Sequence, residues 1–283
     1  MHPAASLILF STLSGAGFGL LALIGAGLAR TTGWAGLAEA ALAFALAIAG
    51  LAASTFHLGR PERALKAFRE WRSSWLSREA WLAAATLSIM AITTLIRLAG
   101  LPALPLGLVG SALALATVAA TAMIYAQLRT VPRWNHWTTP AIFLGHALTA
   151  GTLLAGHRLP AAILLAALAV AQFAAWHAGD RRTGATTRES ATGLGPRVRP
   201  FEAPHTSDNY LTREMVFVVA RKHRVRLRSI GLVLAYLAPL ACLAIPPAPL
   251  ALPLAALLHI GGTLIVRWLF FADAEHTVAL YYR

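Results

Sequence analysis

Charge is scarce in this chain. Only 12% of its 283 residues are Asp, Glu, Lys or Arg, and 58% are hydrophobic, whereas a soluble domain carries about 25% charged residues. That composition excludes an ordinary soluble domain. Acidic residues are the rarer sign, 11 against 24 basic ones. The basic excess does not read as nucleic-acid binding, because the basic blocks fill the gaps between apolar runs, where they set orientation across a bilayer. Cysteine occurs once, as Cys242 inside an apolar run. A single thiol makes no intrachain disulfide, zinc site or iron–sulfur cluster, so any iron–sulfur centre must sit on a partner. A basic leader is missing too. The opening MHPAASLILF has no charged n-region and no clear cleavage site, so the first apolar run is read as a retained helix.

What the chain has in abundance is long uncharged runs of Leu, Ala, Ile, Val and Gly, with a mean hydropathy of +0.64. A helix needs ~20 apolar residues to cross the hydrocarbon core, and backbone groups in lipid must find partners within the chain. Eight segments qualify: 4–29, 35–56, 79–99, 104–128, 139–156, 160–178, 229–246 and 249–271. The expected fold class is therefore all-α, a polytopic membrane protein with eight transmembrane helices in two packed four-helix bundles. The whole chain, 1–283, forms one integral membrane domain. Lys and Arg split 20 to 3 between the two sets of connections, which places both termini and the even connections in the cytoplasm. The longest connection, 179–228, holds 11 of the basic residues. Attraction to anionic lipid headgroups and docking of a cytosolic partner both remain open for it.

Residues 54–79 read STFHLGRPERALKAFREWRSSWLSRE. Pro61 suits a first helical turn, and Leu65, Phe68, Trp71 and Trp75 recur at steps of three and four. Arg63, Lys66, Arg69 and Arg72 lie mostly off that face. The segment 57–78 thus reads as a short amphipathic helix in the interface plane. His57 stands where the second span leaves the membrane, and Ser77 and Glu79 open the third. One reading is a surface histidine beside a helix-start carboxylate. The other is a proton-exchanging pair, since an imidazole titrates near neutrality and quinol chemistry moves two protons with each electron pair.

Few other polar groups interrupt the spans. Ser11, Ser14, Tyr125 and Gln127 are each expected to pack or to bond the backbone. Arg267 is the formal charge within the last span, with Asp273 and Glu275 as candidate structural partners. Gly15 and Gly19 mark a close-packing step in the first span. His146, His177 and His259 could ligate a haem. Counting from the helix ends, however, puts His146 and His259 about 7–8 Å apart in depth at ~1.5 Å per residue. Polar packing is the default for these histidines.

The stretch FHLGRPERALKAFREWRSSWLSREAW resembles the membrane-anchor subunits of dimethyl sulfoxide reductase-type molybdoenzymes, the DmsC-like family. RTVPRWNHWTTPAIFL, ARKHRVRLRS and GGTLIVRWLFFAD continue the likeness in order. The last motif lacks a carboxylate where GGT stands and ends Phe-Phe where a tyrosine is usual. The resemblance implies a haem-free anchor in the cell inner membrane that binds ubiquinone or menaquinone. A four-cluster [4Fe–4S] subunit would make direct contact, and a molybdopterin subunit would do the substrate chemistry. The family's quinol-site histidine falls on His57. Arg60, Ser77 and Glu79 join it by proximity, and Tyr125 by analogy with polysulfide-reductase anchors. Arg63, Lys66, Arg69, Arg72, Arg221 and Arg224 are the expected docking cations. The charge count resembles a cytoplasm-facing anchor, such as that of a sulfite-oxidising, quinone-reducing complex. A quinol-oxidising anchor of a terminal reductase is the alternative, and a b-type haem anchor a further one.

Overall fold

The structure, a computed structural model, describes residues 3–56, 61–194, 201–202, 219–245 and 250–281, and all regular structure among them is helical. The helices are α1 (Ala5–Gly25), α2 (Gly33–Thr55), α3 (Trp75–Leu98), α4 (Leu104–Ala126), α5 (Thr138–Leu154), α6 (Arg158–Ala185), the short α7 (Arg188–Thr192), α8 (Val219–Leu232), α9 (Ala238–Ala244) and α10 (Ala251–Ala272). A π-helical turn, Val233–Leu237, joins α8 and α9 into one rod. Among the described residues, seven helical rods are long and apolar enough to cross a membrane, with His223–Ala244 counted as one. Of the eight expected spans, the one outside that set is α5, which has 17 residues. The expected count of eight spans thus exceeds by one what length and composition alone support.

The rods assemble around α1, which packs on α2, α4, α5 and α10. Small residues make this possible. Gly17 lies against the backbone of Ala43 and Ala47 in α2, and Gly19 against the carbonyl of Ala147 in α5. A Cβ at either position would overlap backbone, so the helices touch at nearly minimal separation. Gly15 faces open space. The packing pair is therefore Gly17 and Gly19, each serving a different neighbour, and not the Gly15–Gly19 step. Apolar side chains gather in two clusters. One spans α1 to α5 and the end of α10, and the other lies among α5, α6, α8, α9 and α10. Since α1 packs on α5 and α10 as well as on α2 and α4, the helices do not part cleanly into two sets of four.

A buried connection explains the shortness of α5. Val131, Arg133 and Trp134 are all buried. The Trp134 indole donates to the Phe270 carbonyl at 2.9 Å, and Thr277 N–H donates to Thr130 O at 2.9 Å. The chain between α4 and α5 is thus folded into the bundle, and α5 starts below the level where α10 ends. His136 supports this start. Partial burial and the nearby Arg182 lower its pKa, and its neutral ring can accept the Thr138 N–H at 3.3 Å.

Basic residues at the opposite end are tied to the protein. Arg97 donates to the carbonyls of Ile24 and Gly25 at the end of α1, at 2.5 and 3.1 Å. Arg158 donates to Leu243 O at 2.8 Å and to Ile245 O at the end of α9. Arg30 pairs with Glu39 at 3.6 Å. The two helix-end contacts satisfy carbonyls that a helix terminus leaves open and place positive charge at the negative pole of the dipole.

Widening Gly19 should force α1 and α5 apart, because overpacking costs about 1–3 kcal/mol. Gly19→Leu is expected to lower the thermal midpoint of the detergent-solubilised protein by several degrees, whereas Gly15→Ala leaves it in place. Equal midpoints for the two variants would contradict this packing.

Candidate functional site: the charged end of the bundle

The collar before α3 differs from its expected form. Residues Pro61–Phe68 form a 3-10 helix, a turn follows, and Trp75 already belongs to α3. Leu65, Phe68, Trp71 and Trp75 therefore do not share one α-helical face. Leu65 and Trp71 are 79% and 56% exposed, as suits side chains meeting lipid headgroups. Phe68 packs edge-on to Trp81 at 5.2 Å, and the Trp81 indole donates to Phe68 O at 3.0 Å. Arg78 lies over Trp75 at 4.5 Å and donates to the Trp71 and Arg72 carbonyls at 3.0 and 2.6 Å. Arg63, Lys66, Arg69 and Arg72 are exposed. His57 and Arg60 lie outside the described residues, as does the side chain of Arg221.

Below this collar α3 begins. Ser74 caps it by accepting the Ser77 N–H at 3.4 Å, and both Ser77 and Glu79 are buried, at 2% and 4% exposure. The Glu79 carboxyl accepts a hydrogen bond from the Thr121 hydroxyl of α4. Among the described residues no cation touches it. Further along the same helix pair, Thr86 and Thr117 meet at 3.2 Å. Nothing in the sequence marks Thr121 beyond its place four residues before Tyr125.

Tyr125 is buried in an aromatic cage. Its ring lies 5.3 Å from Trp134, 5.4 Å from both Phe270 and Phe271, and 6.0 Å from Phe143. Its hydroxyl interacts electrostatically with both Glu79 and Arg267. Glu79 thus lies near Tyr125 through Thr121, which stands one turn earlier on α4, and Arg267 joins them, while the contact of buried Ser77 is with the cap of α3. That arginine is 2% exposed, and its guanidinium lies 3.4 Å over the Phe143 ring. Its Nε has no hydrogen-bond partner. Gln127 is exposed and donates to Ile124 O, while Ser11 and Ser14 bond backbone carbonyls as expected.

Asp273 does not pair with Arg267. It belongs to an ion cluster that sequence spacing did not reveal. Asp180 of α6 accepts from Arg133 at 2.6 Å and from Arg228 at 2.6 and 2.9 Å. Asp273 accepts from Arg228 at 2.8 Å and from Arg224 at 3.2 Å, and Arg133 Nε donates to the Asp273 carbonyl at 3.0 Å. Three arginines and two aspartates thus join the 127–137 connection, α6, α8 and α10. Arg224, expected as a docking cation, is held inside this cluster.

The interior histidines are also resolved. Pro239 cannot donate to Ala235 O, four residues back. That carbonyl instead lies 2.7 Å from His259 Nδ1, which must be its donor. Thr263 gives its proton to His259 O at 2.7 Å, so its oxygen accepts from His146 Nδ1 at 3.1 Å. His146 Nε2 then accepts from Tyr236 at 3.1 Å. The His146 and His259 rings stack 5.5 Å apart, so the depth mismatch expected from end-counting is corrected by the sunken start of α5. With both nitrogens of His146 engaged, the ring does not fit iron ligation. His177 stacks on Phe173, on the exposed side of α6.

Comparisons with known proteins point one way. The family described as DMSO reductase anchor subunit (DmsC) matches residues 1–272. A sulfite dehydrogenase subunit of Allochromatium vinosum is 32% identical over 324 aligned positions, covering 100% of this chain and 99% of that protein. No solved structure matches.

Breaking a buried ion pair by removing one partner costs ~3–5 kcal/mol, whereas exposed pairs contribute ~1 kcal/mol or less. Asp273 is 2% exposed and Asp180 is 33% exposed at the side chain. Asp273→Ala is therefore expected to lower the thermal midpoint more than Asp180→Ala does. The reverse order would contradict the cluster's assigned burial.

Proposed function

The chain belongs to the family of dimethyl sulfoxide reductase anchor subunits, and on that premise we propose that it exchanges electrons and protons with quinone at its charged face. As a membrane anchor of a molybdoenzyme it contributes the lipid-embedded part of an oxidoreductase whose metal centres lie on other subunits. The proposed neighbours are a four-cluster [4Fe–4S] subunit in direct contact and a molybdopterin subunit beyond it. Arg63, Lys66, Arg69, Arg72 and Arg221 offer the first of these a cationic surface. The charged face is the cytoplasmic one by the 20-to-3 distribution of Lys and Arg. Both termini then lie in the cytoplasm, with α5 as an eighth crossing of the cell inner membrane. Its 17 residues rise about 25 Å.

The observation that carries the quinone reading is the Glu79 carboxyl, buried between α3 and α4 with a neutral hydroxyl as its partner. A carboxyl so placed in a membrane protein is costly and marks function by default. His57 lies on the short segment between α2 and the collar, and Tyr125 shares Glu79's electrostatic surroundings. A proton can pass from water by His57 to Glu79 and on to the carrier. Similarity to a protein named as part of a sulfite dehydrogenase favours electrons running toward quinone. Sulfite, water and quinone then give sulfate and quinol, with both protons and both electrons accounted for.

Proton-transfer groups contribute typically 10²–10⁴-fold. In the assembled complex, His57→Ala and Glu79→Gln are expected to lower quinone-linked turnover by about 100-fold. Sulfite oxidation with a soluble artificial acceptor should persist. Undiminished quinone reduction by well-assembled variants would end this reading.

A further inference from the structure

A groove of about 540 Å³ opens on the outer surface between α1, α8 and α10. Ala5 and Leu9 of α1 form one wall, Leu264, Ile265 and Trp268 of α10 the other, and Leu227 of α8 joins them. Every lining side chain is apolar save for the N–H at the edge of the Trp268 indole. None of them belongs to the ion cluster or to the Glu79, Tyr125 and Arg267 group. The groove sits at the charged end, since Ala5 opens α1 and Trp268 stands one turn before the end of α10 at Ala272. Its walls run along about one turn of each helix, ~6 Å at 1.5 Å per residue. The rim is basic. The first ten residues of α8, VARKHRVRLR, hold five cations and no acid. Arg224 and Arg228 turn into the ion cluster. His223, one turn nearer the surface on the same face as Leu227, and Arg226 are exposed. Across the groove α1 begins without a side-chain cap, and the open N–H groups of a first turn favour negative charge.

Those features select among occupants. A crossing helix from another chain would need walls on the scale of the ~30 Å hydrocarbon core, and these extend for one turn. A quinone ring needs donors for its carbonyl oxygens, and the walls offer one indole N–H. A fatty-acyl chain asks only for apolar surface, and the phosphate above it would meet the basic rim. Cations clustered beside a span, and basic pockets between spans, favour anionic lipid. We propose that this groove seats an acyl chain of one anionic phospholipid, with Arg226 and His223 donating to its phosphate. The lipid bridges α8, which carries Arg224 and Arg228, to α1, around which the rods assemble, and so braces the ion cluster from outside. This site does not rest on the quinone reading above.

The test is a fluorescence titration of the full-length chain in detergent with phosphatidylglycerol brominated on its acyl chains, in parallel with phosphatidylcholine bearing the same chains. Bromine quenches a tryptophan it touches, and Trp268 is the reporter. Wild-type protein should show a saturable quench that Trp268→Phe removes, with phosphatidylglycerol bound more tightly than phosphatidylcholine. Arg226→Gln should cut that preference about fivefold, the factor for one cation near an anionic headgroup. Ala5→Phe fills the groove without altering charge and should weaken binding about tenfold, the factor for roughly two displaced methylenes. Ala5 and Arg226 are both exposed, so both variants should keep the wild-type elution profile. Phosphatidylglycerol should also raise the thermal midpoint of wild-type protein more than that of Arg226→Gln. A quench that survives Trp268→Phe overturns the proposal. So does equal affinity for the two lipids, or a preference and an affinity left unchanged by Arg226→Gln and Ala5→Phe. Displacement of the brominated lipid by an equal concentration of decylubiquinone would assign the groove to a quinone and overturn it as well.

Discussion

The ion cluster of Arg133, Asp180, Arg224, Arg228 and Asp273 is the constraint from which the charged end follows. Five side chains from four parts of the chain meet there, and the oxygens of both aspartates are taken by arginines. Arg133 is the consequential member. By reaching both Asp180 and the Asp273 carbonyl it holds the 127–137 connection inside the bundle. Trp134 is thereby seated beside Tyr125 and stacked 5.1 Å from Phe270. The start of α5 sinks, so Phe143 comes level with Arg267 and His146 with Thr263. The aromatic cage and the stacked histidines both depend on that register.

Much of the architecture was legible in composition. Long apolar runs in a charge-poor chain can only be helices in lipid, and five of the seven qualifying rods fall within four residues of their expected bounds, while α6 runs seven residues further and the α8–α9 rod starts six earlier. The distribution of Lys and Arg was legible too, and the structure adds a reason for its asymmetry. Arg30, Arg97 and Arg158 at the opposite end each have a partner within the protein. What could not be read was depth. Counting residues from a helix end assumes that every helix begins at the same level, and the buried 127–137 connection breaks that assumption. The same blindness hid the ion cluster, because Asp180, Arg228 and Asp273 are about 45–50 residues apart or more in sequence and meet only in three dimensions.

The collar failed for a different reason. Steps of three and four suit both an α-helix and a tighter winding with three residues per turn. The segment took the tighter form and ended before Trp75, which opens α3 behind the Ser74 cap. Of the candidate site, Ser77, Glu79 and Tyr125 were legible as polar residues near one end of the spans. Their shared burial was not, nor was the link through Arg267. Nearness in sequence offers Asp273 and Glu275 as candidate partners of that arginine, and Asp273 instead pairs with Arg224 and Arg228. The Arg267 guanidinium lies over the face of Phe143.

Arg158 has a bearing on how the chain is built. It stands at the start of α6, yet the carbonyls it holds belong to residues 243 and 245, at the end of α9. During synthesis those residues emerge only after some eighty others have followed. Until then the guanidinium has only water or headgroups to bond. Fastening of the α5–α6 hairpin is thus deferred to the arrival of the next rod. Arg97, by contrast, finds the end of α1 already present when its own helix is made. The early half of the molecule can latch as it is threaded into the bilayer, while the later half waits for the penultimate crossing.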